Sequence, residues 1–148
     1  MKFNKIHSLK YGKDILKSKG MKAEKKIMHH GQTSCFLHSL RVAEVSAKIA
    51  YMLHINVDIS SLIRGALLHD YFLYDWHLPD DSHRMHGLIH AKNALKNAEN
   101  DFLLNNIEKD IIKKHMFPLN ISPPIYRESW IVCIVDKICA AMEFFSGR

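Results

Sequence analysis

An imidazole and a carboxylate stand side by side at His69 and Asp70, where the apolar run IRGALLHD ends. Both groups are costly to bury unless something pairs with them. Partners of the same kind recur along the chain. His38 sits in CFLHSLRVAEVSAKIA beside the apolar stripe of Leu37 and Val42, His90 follows HGLI, His115 closes IEKDIIKKH, and Asp136 lies within WIVCIVDKICAAM, the most apolar stretch. Singly, each is an ordinary hydrogen-bonded core residue. Jointly they are four imidazoles and two carboxylates turned toward one interior, and a divalent cation accounts for all of them at once. Nitrogen and carboxylate oxygen suit zinc, iron or manganese, and the ion offsets the cost of the buried acids.

The elements that must position these groups read as helices. Apolar residues recur at spacings of three and four in most segments, and no alternating run argues for strands. The spacing predicts a helical arm over about 3–19, turns near Gly20 and Gly31, and helices over about 34–54, 58–71, 87–99, 105–116 and 124–145. Asp58 is placed to cap one helix, Asn105 with Glu108 has capping-box spacing, and Pro123 and Pro124 after Ser122 suit a first helical turn. The fold class is all-α, a single-domain helical bundle. Residues 1–26 form a basic helical arm and 27–148 the domain proper. Residues 72–86, aromatic and rich in histidine, interrupt the helices and form the expected binding mouth.

The ordered set His38, His69-Asp70, His90, His115, Asp136, with ALLHD before the doublet and an apolar helix around the final Asp, resembles the HD-domain superfamily of metal-dependent phosphohydrolases. The resemblance spans about residues 34–140. It implies that His38, His69, Asp70 and Asp136 hold one metal, while the second oxygen of Asp70, with His90 and His115, holds another. The cofactors would be two divalent ions (Mn, Fe or Zn), and the implied reaction is hydrolysis of a phosphate ester by activated water, with Asp70 and His69 as the catalytic pair. Neighbouring helical residues lie about 100° apart, so both can face one cavity. His86 stands one turn before His90 and competes with it as ligand; the small Ala94 four residues on favours His90. His86 and His30 then face substrate, and Lys137 and Arg127 are candidate phosphate contacts. His7, His29, His54, His77 and His83 read as surface or packing residues.

Departures from better-known branches narrow the substrate. No Gly-Tyr-Pro segment and no double His at His115 are present, which argues against cyclic dinucleotides, and YFLYDWH replaces the acidic pair of guanosine tetraphosphate hydrolases. Tyr71, Tyr74 and Trp76 could stack on a base, so the expected partner is a small phosphorylated substrate, a nucleotide by preference. Two alternatives stand beside this: a di-iron oxygenase of the same fold, and a non-catalytic metal-containing binding module.

Composition bounds the rest. The 148 residues suffice for one core, and the hydrophobic share of 47% is that of a globular protein. No apolar run reaches the roughly 18 residues of a membrane span, and MKFNKIHSLKYGKD lacks the apolar centre of a signal peptide, so a cytoplasmic location is expected with no membrane partner. The net charge is +6, yet residues 1–26 hold nine lysines against Asp14 and Glu24, and the remainder carries −1. Basicity confined to one arm reads as a solvated helix face, and nucleic acid is not the favoured partner. Removal of residues 1–26 should then leave turnover intact. Cys35, Cys133 and Cys139 match no ligand or redox spacing.

Overall fold

The computed structural model describes residues 10–29, 31–73 and 86–147, apart from the side chains of residues 86–88. Its helices are α1 (Lys13–Lys17), α2 (Lys19–Glu24), α3 (Cys35–Met52), α4 (Ile59–Leu68), α5 (His86–Asp101), α6 (Asn106–Lys114) and α7 (Arg127–Ser146). No strand occurs among the described residues, only an isolated bridge between Met28 and Ser34. The fold is the all-α bundle expected.

Helix starts follow the capping residues. The side chain of Ser34 accepts from Leu37 N, that of Asp58 accepts from Ser61 N, and Asn105 and Glu108 form a reciprocal capping box at α6. Two boundaries differ from the sequence reading. Gly20 does not make a turn: the chain breaks at Ser18, whose hydroxyl caps Met21 N at 3.2 Å, and Gly20 is helical. Its lack of a side chain serves packing instead, since a Cβ there would sit 1.7 Å from the Tyr71 hydroxyl oxygen. At the other end, Pro123 and Pro124 precede α7 rather than open it. Asp110 Oδ2 accepts from Ile125 N at 2.9 Å and Tyr126 N at 3.4 Å, which ties that segment to α6 and keeps it out of α7 until Arg127.

The helix that carries His38, α3, packs on α4 and α7; α4, which ends at the His69-Asp70 doublet, packs on α6; and α6 packs on α5 and α7. Ile63, Ala66, Leu67, Ile111, Val132 and Val135 fill the space between them. Ile15 and Met21 from α1 and α2 are fully buried in the same cluster. The close approach of α4 and α6 depends on Gly65, where a Cβ would lie 2.9 Å from the Cβ of Ile111.

Candidate metal centre

The C-terminal ends of α4 and α6, the N-terminal turns of α3 and α5 and the middle of α7 face one point. His38, His69, Asp70, His90, His115 and Asp136 are all buried there. The helix-end positions matter: His69 and His115 are the C-cap residues of α4 and α6, so each ring can turn back on its own last turn. His69 Nδ1 lies 2.6 Å from the Ala66 carbonyl oxygen, and His115 Nδ1 lies 2.7 Å from that of Ile112. A carbonyl only accepts, so Nδ1 carries a proton in both rings, and in the neutral ring Nε2 is left with its lone pair. His38 stands between two carboxylates, with Nδ1 2.9 Å from Glu143 Oε2 and Nε2 2.9 Å from Asp136 Oδ1, so once Nε2 serves an ion the ring proton is left on Nδ1, facing Glu143.

The three Nε2 atoms converge on the carboxylates. His38 Nε2 is 2.9 Å from Asp136 Oδ1, and His69 Nε2 is 3.3 Å from both Asp136 Oδ1 and Asp70 Oδ2. On the other side of the same carboxylate, Asp70 Oδ1 faces His115 Nε2 at 3.4 Å and also meets His90 Nε2. Asp70 therefore divides its oxygens between two sets of imidazoles. Single atoms of His38, His69, Asp70 and Asp136 lie within 4.8 Å of one another, as do those of Asp70, His90 and His115. His69 Nε2 and His115 Nε2 are buried without a hydrogen-bond partner among the described residues. Imidazole nitrogens and carboxylate oxygens aimed at one another in this way are what a cation would satisfy, so these residues fit a metal.

The protein's own charges already lean that way. Burial opposes ionisation of Asp70, but the imidazoles of His69 and His90, with the rings of His115 and His29 beside it, outweigh it and hold the carboxyl well below the usual range. Asp136 is likewise held well below it, with burial overcome by His38 and His69. His69 is pushed well above the usual imidazole range because Asp70 and Asp136 outweigh its burial, whereas burial wins at His115 and lowers it.

Other sequence candidates land elsewhere. His30 lies outside the described residues, as do Tyr74 and Trp76; His86 opens α5 with its side chain outside them, while His90 reaches Asp70. Ala94, one turn beyond His90, is fully buried. Lys137 is not presented to the cluster: its Nζ donates to the carbonyls of His115 at 2.9 Å and Cys133 at 3.3 Å, so it steadies the end of α6. Arg127 is exposed and donates to the Asn56 carbonyl at 3.4 Å, about 13 Å along α7 from Asp136. Tyr71 is fully buried with its hydroxyl on Asp101, which removes it from any base-stacking role. The three cysteines are buried and enter none of the ligand groups.

Three residues outside the candidates of the sequence reading belong to the site or its wall. His29 Nε2 is 3.0 Å from Asp70 Oδ2, its ring stacks on His38 at 3.7 Å, and it faces Glu143 at 3.5 Å. Burial would lower its pKa, but Asp70 and Glu143 raise it to about 9. The turn at Gly31, with φ of 58°, brings this loop against the end of α7. Glu143 follows Asp136 by seven residues, two helical turns, so it shares its face; that spacing was readable. Glu24 lies one turn beyond Gly20, on the side of α2 that meets Tyr71, and both its oxygens are buried without a partner among the described residues. Burial first, then Asp70, push its carboxyl well above the usual range.

The family model described as HD domain matches residues 35–141, more than two thirds of the chain. The chain belongs to the HD domain family. HD domains are in general metal-dependent hydrolases, and the doublet for which this one is read is His69-Asp70. Comparison with curated proteins and with solved structures returns no match. None of the helices described is long and apolar enough to cross a membrane.

Proposed function

We propose that this HD domain is a phosphohydrolase that works with two divalent cations, one held by His38, His69, Asp70 and Asp136 and the other by Asp70, His90 and His115. The observation that carries this reading is the division of Asp70: Oδ2 faces His69 and His38 at 3.3 and 3.6 Å, while Oδ1 faces His115 at 3.4 Å and meets His90. One carboxylate shared in this way suits a pair of ions at the roughly 3.5–4 Å spacing of two-metal hydrolases. Bound there, such ions supply a hydroxide near neutral pH and neutralise the phosphoryl oxygens.

The chain's own contribution is positional. Asp70 sits centrally enough to accept a hydrogen bond from the attacking water, and His69, locked by Ala66, keeps its lone pair inward through the reaction. The buried Phe72 packs on the His90 ring, centroids 4.6 Å apart, and keeps bulk water from that face of the ring. The proposed substrate is a nucleotide or a similar small phosphorylated metabolite. Phosphate release from a nucleotide panel tests this, with and without dioxygen. Metal-dependent release that ignores dioxygen and falls at least about 100-fold in Asp70→Ala is expected. Turnover that requires dioxygen, or an unchanged rate in Asp70→Ala, would count against it.

A further inference from the structure

We propose that Glu143 makes the two cation sites unequal, so that the site of His38, His69, Asp70 and Asp136 fills first and keeps its ion longest. This rests on the two-ion reading above. The asymmetry lies in what stands behind the rings. His69 and His115 each donate Nδ1–H to a neutral backbone carbonyl of their own helix, at 2.6 and 2.7 Å. His38 donates to a carboxylate instead, Glu143 Oε2 at 2.9 Å. A charged acceptor polarises the ring further than a carbonyl does and makes the opposite nitrogen a stronger donor of its electron pair. That opposite nitrogen is the Nε2 that lies 2.9 Å from Asp136.

Glu143 is itself fixed in place. It is 1% exposed, and Arg41 Nη1 donates to its Oε1 at 2.7 Å. Arg41 follows His38 by three residues, so the pair presents one face of α3 to both oxygens of a single carboxylate on α7. A carboxylate clamped from two directions cannot turn away when an ion enters. The effect falls on the first site, because Glu143 touches His38 and, through His29, faces the Asp70 Oδ2 turned to that site, and does not touch His115.

Calorimetric titration of Mn(II) into metal-depleted protein decides the matter. Wild type should show two classes of site, one tighter. Glu143→Gln should weaken the tighter class by about 10- to 100-fold and leave the weaker one in place. Merely structural damage would move both. In a His90→Ala background one class should remain, and the loss on adding Glu143→Gln is then read on a single ion. Should Glu143→Gln fail to melt cooperatively, Glu143→Asp decides instead: it keeps the charge, withdraws it from His38, and should also weaken the tighter class. Two bound ions with the tighter class unmoved, or both classes weakened alike, would overturn the inference and leave the two-ion reading standing. Fewer than two ions in wild type would overturn both.

Discussion

At the scale of single residues, proton placement governs the site. Two backbone carbonyls and one carboxylate fix the protons of His69, His115 and His38 on Nδ1, and so turn three electron pairs inward. Glu24 is the residue whose placement costs most, a carboxyl with no exposure and no partner among the described residues. Its folded pKa is raised above the ordinary 4.5. Above pH 4.5 the unfolded chain gives up that proton freely and the folded chain does not, so stability falls as pH rises from there. Glu24→Gln should remove this slope: its melting temperature should exceed that of wild type at pH 8 by more than at pH 5. An equal difference at both pH values would mean the carboxyl is not strained by burial. Glu24 was invisible in the sequence, where it looks like one acid among nine lysines. Only the approach of α2 to Tyr71 reveals it.

At the scale of elements, the helices serve to deliver ring-bearing ends. Gly65 lets α4 and α6 approach so that His69 and His115 come edge to face with centroids 4.9 Å apart. Gly65→Ala would press a methyl onto the fully buried Ile111 and should cost about 1–3 kcal/mol by overpacking. Denaturant unfolding would measure it, and a change below about 0.5 kcal/mol would show that α6 can shift. The capping box at α6 holds the other end of the same helix: Asn105→Ala should cost about 1 kcal/mol in the same assay. No loss would mean the cap is redundant with packing. Caps at Asp58 and Asn105 were legible because a capping side chain is chosen for its own backbone. The start of α7 was not, because the competing partner, Asp110, is fifteen residues away from Ile125. Local chemistry reads out of a sequence; a distant hydrogen bond does not.

At the scale of the molecule, α1 and α2 close the bundle on the side of α4. Arg64 on α4 pairs with Asp14 at 2.7 Å and Glu108 at 3.0 Å, and Ile15 and Met21 join the core. Removing residues 1–26 would strip Asp14, Ile15 and Met21 from these contacts, so the expectation that turnover survives it does not fit the packing. The truncated chain should lose its cooperative melt, followed by circular dichroism; a retained melt would show that the remaining helices form a core alone. The all-α architecture and the convergence of six polar groups were readable from helical spacing and the order of His and Asp. His29 was not, since nothing in HHGQTS says that a loop folds back to stack on His38.

The division of Asp70 between two sets of imidazoles supports the whole reading. Elemental analysis of protein purified without a polyhistidine tag, wild type beside Asp70→Ala, tests it most directly. Close to two metal ions per wild-type chain, with marked loss in the variant, is the expected result. No bound metal in wild type, or equal content in both, would contradict it.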